Sequence, residues 1–153
     1  MIAVGNPAPD FTISTDTGEN VSLATYRGRK LVLYFYPKAG TPGCTIEAHD
    51  FNKLRDEFSA AGTVILGISP DPAKALTKFR AKEGLEFPLA GDEQHAMLEA
   101  YGVWEEKSMY GKTYMGVVRT TLLIDAEGRI AHIWPKVKVP GHAEEVLAAA
   151  KAL

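Results

Sequence analysis

Apolar residues fall into three patterns along this chain, and each predicts a different element. Leu31-Val32-Leu33-Tyr34-Phe35-Tyr36 and Thr63-Val64-Ile65-Leu66-Gly67-Ile68 run without polar alternation, the pattern of strands buried on both faces. Phe11-Thr12-Ile13-Ser14 and Asn20-Val21-Ser22-Leu23 alternate around Asp16-Thr17-Gly18-Glu19, which predicts a hairpin. Helical spacing places Ala48, Phe51, Leu54 and Phe58 on one face of a helix from Pro42 to about Ala61, stopped by Gly62. A second helix opens at Asp71-Pro72, turns Leu76 and Phe79 inward and closes at Gly84. After the short extended piece Phe87-Pro88-Leu89, a third helix is capped by Gly91 or Asp92 and ended by Gly102, with Met97, Leu98 and Tyr101 inward. Val117 to Ile124 and Arg129 to Trp134 predict two more strands, joined by Asp125-Ala126-Glu127-Gly128. An Ala-rich helix from His142 to Leu153 turns Val146 and Leu147 inward. Trp104 to Gly116 has no period and reads as a long loop, of a length that is often functional.

The fold class predicted is α/β: strand, helix, strand, helix, then a hairpin and a last helix. Right-handed crossovers place helices on both sides of a mixed sheet. This is the order of the thioredoxin fold, with an N-terminal hairpin and an extra helix. A chain of 153 residues suits a single domain over 1–153 with a sizeable core. The formal net charge of −2 comes from scattered charges of both signs, so nothing points to nucleic acid. No apolar run approaches the roughly 18 residues of a membrane span. The first residues carry no basic region followed by an apolar one, so no signal peptide is expected. The basic stretch Tyr26-Arg27-Gly28-Arg29-Lys30 reads as a solvated turn.

The candidate chemistry sits where the first buried strand meets the next helix. Pro37 ends the run, Lys38-Ala39-Gly40 forms a loop, Thr41 is the N-cap and Pro42 the first helical residue. Cys44, the single cysteine of the chain, then lies on the first helical turn. Unpaired N–H groups and the macrodipole favour a thiolate at such a point, below the free value of about 8.5. The alternative is a buried, inert cysteine packed as a small hydrophobe.

Pro37, Thr41 and Cys44 spell P-x-x-x-T-x-x-C, which resembles the active-site signature of the peroxiredoxins. Phe35-Tyr36-Pro37-Lys38 with Thr41-Pro42-Gly43-Cys44-Thr45 is similar to the peroxiredoxin Q, or bacterioferritin comigratory protein, branch. The similarity continues through Gly67-Ile68-Ser69 and Tyr110-Gly111-Lys112 to Arg119-Thr120-Thr121 and Asp125, nearly the whole chain. The resemblance implies the thioredoxin-like fold and a thiol-dependent peroxidase needing no cofactor. Cys44 would attack hydrogen peroxide or an organic hydroperoxide and become a sulfenic acid. Thr41, one turn earlier, would place its hydroxyl at the same point, or act only as a cap. Pro37 would shield the site, or only terminate the strand. Arg119 reads on its own as an edge-strand or paired arginine in the middle of Val117 to Leu123. The resemblance makes it the guanidinium that donates to the peroxide and stabilises the thiolate. Glu47 matches a position that orients this arginine, and reads equally as a solvated helix carboxylate.

Ionisation alone cannot account for the reactivity the resemblance implies. A thiol is about 3% ionised at pH 7 for a pKa of 8.5 and about 90% for a pKa of 6, a gain of at most roughly 30-fold. Low-pKa thiolates are also weaker nucleophiles. The remainder must come from donors fixed where charge develops: Arg119, Thr41 and the helix N–H groups.

The chain departs from the pattern at the resolving step. Related members carry a second cysteine five residues after the first, where this chain has His49, or in the next helix, near Arg80. An external thiol, thioredoxin, glutaredoxin or a small thiol, must therefore reduce Cys44, in an expected monomer in a reducing cytoplasm. On an intact helix His49 lies about 140° round from Cys44 and cannot touch it, so it reads as a surface or core-edge residue. His95, His132 and His142 lack metal-ligand spacing. Trp104, Met109, Tyr110 and Met115 border the peroxide entrance or pack as core or surface. A thiol–disulfide oxidoreductase usually needs C-x-x-C, which is absent here. A peroxide sensor or chaperone that relays oxidation to a partner differs from a peroxidase only after the sulfenate.

Overall fold

The computed structural model describes residues 2–153. A five-stranded mixed sheet is the centre of the molecule. It comprises β3 (Lys30–Phe35), β4 (Thr63–Ser69), β5 (Leu89–Gly91), β8 (Thr120–Ile124) and β9 (Ile130–Trp134), in the order β5-β4-β3-β8-β9. β4 runs parallel to both β3 and β5, whereas β8 is antiparallel to β3 and β9. Both unbroken apolar runs became interior strands, as their pattern requires. Leu31, Leu33 and Phe35 of β3 point into one core with Leu66, Ile68, Leu122 and Tyr101. Val32, Tyr34 and Tyr36 point into the other with Phe51, Phe58, Leu76, Leu89 and Val146. The second core is covered by α1 (Pro42–Lys53), α2 (Arg55–Ala60), α3 (Ala73–Glu83) and α5 (His142–Ala152). The first is covered by the hairpin β1 (Thr12–Ser14) and β2 (Asn20–Ser22), a 3-10 turn at Leu23–Tyr26 and the short α4 (Ala96–Ala100).

Several expectations need correction. The N-cap of α3 is Pro72 rather than Asp71, and that of α4 is His95 rather than Gly91 or Asp92. The helix from Pro42 to Ala61 is two helices: Leu54 leaves helical geometry (φ −100°, ψ 4°), and the Arg55 guanidinium takes the Asn52 carbonyl at 2.8 Å. A side chain inserted at the ladder is one of the few causes of a sharp break. The stretch from Trp104 to Gly116 is not a loop. It forms the hairpin β6 (Trp104–Met109) and β7 (Lys112–Val117), turning at Tyr110-Gly111, where φ is 52° and 77°. Positive φ at both central residues marks the tight turn that matches strand twist. Most side chains of both strands meet solvent, so no core face imposes alternation on the sequence. Finally, the strand expected over Val117 to Ile124 is divided: β7 ends at Val117, β8 starts at Thr120, and Arg119 lies in the break rather than in mid-strand.

Chain direction decides what gathers at one edge of the sheet. β3 and β4 are parallel, so their carboxyl ends lie side by side. β8 is antiparallel to β3, and Thr120 opposite Phe35 puts its amino end there too. The loop into α1, the turn into α3 and Arg119 therefore meet at one place. The carboxyl ends of parallel strands are the usual position of sites in such sheets.

Candidate active site

Thr41 is the N-cap of α1, with φ −77° and ψ 153°, and Pro42 is its first residue, as expected. Cys44, Glu47, Ala48 and Phe51 form the buried stripe of this helix. Spacings of three and four residues place Cys44 and Glu47 on one face. Cys44 is a free thiol with 2% of its surface exposed.

Arg119 reaches across to both. Its Nη2 donates to Cys44 Sγ at 3.3 Å, and its Nη1 donates to Glu47 Oε1 at 2.5 Å. Gly43 lies beside it: a Cβ there would stand 3.4 Å from Nη2, about van der Waals contact. The backbone beneath Arg119 is pinned by its carbonyl, which accepts the Val137 N–H at 2.9 Å. The Glu47 side chain is 2% exposed and that of Arg119 17%. Burial pushes the Glu47 carboxyl from 4.5 up to about 7, against the pull of Arg119, and its Oε2 has no hydrogen-bond partner among the described residues. Burial also works against the Arg119 charge, but Glu47 and Cys44 outweigh it and hold its pKa above the ordinary value. The reading of Glu47 as a solvated carboxylate is thus excluded: it is an interior partner of Arg119.

Thr41 and Pro37 are placed less directly. The Thr41 hydroxyl donates to the Lys38 carbonyl at 2.7 Å and makes no capping bond to a helix N–H; the Thr41 carbonyl accepts both the N–H and the hydroxyl of Thr45. Pro37 is half-buried just past the end of β3. His49 is exposed on the far side of α1, 2.7 Å from Glu83 of α3, in keeping with the angular argument. His95 stacks on Trp104, with ring centroids 3.9 Å apart, and His132 on Trp134. His142 is buried 2.8 Å from the Thr121 hydroxyl. Met109, Tyr110 and Met115 lie exposed on the β6–β7 hairpin, and Trp104 is half-buried at its root.

Two polar residues at this edge were not anticipated. Lys107 of β6 is half-buried, and burial together with the Arg119 charge lowers its pKa, while Cys44 opposes that shift. Asp71, read from the sequence only as a helix cap, accepts the Ala39 N–H of the loop before α1 at 2.8 Å.

The chain is similar to known proteins over most of its length. A family model described as AhpC/TSA family matches residues 4–133. The putative peroxiredoxin bcp of Coxiella burnetii is 51% identical over 146 residues, which is 95% of this chain and 97% of that one. Peroxiredoxin Bcp of Escherichia coli K12 is 44% identical, over 95% of this chain and 94% of its own. Among solved structures, Xanthomonas campestris bacterioferritin comigratory protein, described by its alkyl peroxide reduction activity, superposes with a TM-score of 0.92 at 45% identity over 98% of each chain. A cysteine-to-serine mutant of Xylella fastidiosa PrxQ superposes with a TM-score of 0.95 at 38% identity, over 99% of this chain and 97% of that one. The thioredoxin-like fold expected from the order of elements is the fold these structures share.

Proposed function

The chain belongs to the AhpC/TSA family and is a thiol-dependent peroxidase, and within that activity we propose that Cys44 is the peroxidatic residue, with Arg119, Thr41 and Pro37 completing the catalytic group and Glu47 orienting Arg119. The observation that carries this reading is the double contact of Arg119, to Cys44 Sγ at 3.3 Å and to Glu47 at 2.5 Å. The Cys44 thiolate attacks one peroxide oxygen. The S–O bond forms as the O–O bond breaks, sulfur is oxidised to the sulfenic acid, and the departing hydroxide or alkoxide takes a proton to leave as water or an alcohol. Arg119 is fixed where negative charge spreads from sulfur over the two oxygens. A preorganised donor there stabilises the transition state more than the ground state. The Thr41 hydroxyl supplies a second donor by turning from the Lys38 carbonyl, and Pro37 keeps water from the sulfur. Hydrogen peroxide and alkyl hydroperoxides are the substrates proposed.

The reductant is a thiol, and we assign it to thioredoxin, glutaredoxin or a small thiol because the chain has one cysteine. A reductant thiolate attacks the sulfenate sulfur and releases water, giving a mixed disulfide. A second thiol then returns Cys44 to its reduced form. All three side chains of the Arg119 cluster come from one chain, which supports a monomeric unit spanning 1–153. A thiol that must stay reduced favours the cytoplasm. No helix among the described residues is long and apolar enough to cross a membrane.

Peroxide consumption measured with thioredoxin, glutaredoxin and glutathione in separate assays tests this reading. Sustained turnover is expected with at least one of them, and without any only the peroxide that carries Cys44 to the sulfenic and then the sulfinic acid is consumed. A stoichiometric reaction that none of the three renews would favour the sensor reading over the peroxidase.

A further inference from the structure

The loop that delivers Cys44 to its helix is held from outside by one carboxylate. Within the loop, the Thr41 hydroxyl donates to the Lys38 carbonyl at 2.7 Å and closes Lys38 to Thr41 into a turn, with Gly40 at φ 84°. That bond is internal and does not fix the turn relative to the sheet. Apart from the bonds from Thr45 of α1 to the Thr41 carbonyl, the hydrogen bond among the described residues that ties positions 37–41 to another part of the fold is Ala39 N–H to Asp71 Oδ2, at 2.8 Å. The same oxygen accepts the Ser69 hydroxyl at 2.8 Å, and Ser69 Oγ accepts the Asp71 N–H at 3.3 Å. The carboxylate is therefore aimed by the last residue of β4 before it receives the loop. Its backbone is also wedged: Gly91 of β5 approaches so closely that a Cβ there would stand 2.1 Å from the Asp71 carbonyl oxygen. Asp71 is thus anchored just past the end of β4, and Ala39 belongs to the segment that places Thr41 and the start of α1.

We propose that Asp71 is a positioning residue for peroxide reduction: by gripping the Ala39 N–H it registers Thr41 and the first turn of α1 against Arg119. The inference rests on Cys44 being the peroxidatic sulfur. Asp71 acts through the loop and touches neither sulfur nor peroxide. A hydrogen bond to an ionised acceptor is roughly twice as strong as a neutral one, so the grip depends on the carboxylate and weakens with an amide in its place. Misplacement of reacting groups by about 1 Å costs on the order of 100-fold in rate.

The test compares two reactions of Cys44 in Asp71→Ala and Asp71→Asn, with the thiolate fraction of each variant measured and divided out. Attack on hydrogen peroxide needs the donors of the site, whereas alkylation by iodoacetamide needs only an accessible thiolate. In Asp71→Ala the peroxide rate constant should fall roughly 10- to 100-fold with alkylation within threefold of wild type. In Asp71→Asn, which keeps an acceptor oxygen, the fall should be about three- to tenfold. A folded Asp71→Ala protein whose peroxide rate stays within twofold of wild type overturns the proposal. So does a parallel loss in both reactions, which would mean general disorder of the loop. If Asp71→Ala does not fold, Asp71→Asn decides on the same two criteria. Wild-type Cys44 that alkylates but is never oxidised by peroxide would overturn the site assignment itself, a failure distinct from a wild type that oxidises and a variant that does so equally well.

Discussion

Replacing Cys44 with serine abolishes peroxide consumption and leaves the fold in place. Serine has the shape of cysteine, and its hydroxyl can accept the Arg119 N–H that now reaches the sulfur. An alcohol oxygen, however, is essentially un-ionised near neutral pH and cannot be carried to a stable counterpart of the sulfenic acid. Cys44 is the single cysteine of the chain, so no other thiol can substitute. Consumption should fall to the rate without protein in the presence of any of the three reductants. The far-UV circular dichroism should be unchanged, with the thermal midpoint shifted by only a few degrees, as for a polar swap of similar volume that costs about 1 kcal/mol. Peroxidase activity in a folded Cys44→Ser protein would refute the site assignment.

Arg119→Met should produce the second largest loss. Methionine keeps the unbranched apolar stem but removes the charge and both donors, to Cys44 and to Glu47. A change in thiolate fraction at neutral pH would account for at most roughly 30-fold. Loss of a donor fixed at developing charge costs roughly a further 100- to 1000-fold. The two effects separate if thiolate absorbance is titrated while the peroxide rate is followed to its plateau at high pH. The plateau should remain at least about 100-fold below wild type. A plateau equal to wild type would reduce Arg119 to a tuner of ionisation. The substitution also leaves Glu47 buried without its partner. Burial already pushes that carboxyl up to about 7, and without the Arg119 pull it rises further and becomes neutral. Glu47→Gln in the same protein should therefore recover stability without recovering activity.

The fold was legible wherever burial writes a period into the chain. β3 and β4 are covered on both faces, and their apolar runs have no gaps. The start of α1 was legible because Thr41 and Pro42 are the residue types a helix start prefers. The β6–β7 hairpin was missed because its faces are largely wet, and a strand with no buried face carries no alternation. Its one local signal was the Tyr110-Gly111 pair, a weaker turn mark than Asn-Gly. The break in the first helix was illegible for a different reason: Leu54 is an ordinary helix former, and the interruption coincides with the Arg55 guanidinium turning back to the Asn52 carbonyl, which helix propensity does not announce.

The site divides in the same way. Cys44 and Thr41 announce themselves by local position, but Arg119 is 75 residues from Cys44 and gains its meaning only from the antiparallel pairing of β3 with β8. Glu47 was ambiguous because a carboxylate on a helix is usually solvated, and only the packing of α1 shows that it faces inward. Asp71 looked like a helix cap because Asp-Pro commonly is one. Its bond to Ala39, 32 positions away, depends on β3 and β4 ending side by side, which the chain does not spell out locally.

The central claim is that one sulfur takes the peroxide oxygen and that nothing within the chain resolves it. His49, five residues after Cys44, is not a thiol, and α1 is intact there, with His49 2.7 Å from Glu83. Intact-protein mass spectrometry after one equivalent of hydrogen peroxide, with and without a sulfenate trap, tests this most directly. The predicted result is a monomer carrying one added oxygen at Cys44, convertible to the trapped adduct, or a mixed or Cys44–Cys44 intermolecular disulfide, with further peroxide giving the sulfinic acid. Consumption of the peroxide with recovery of an unmodified, untrappable monomer would contradict the account.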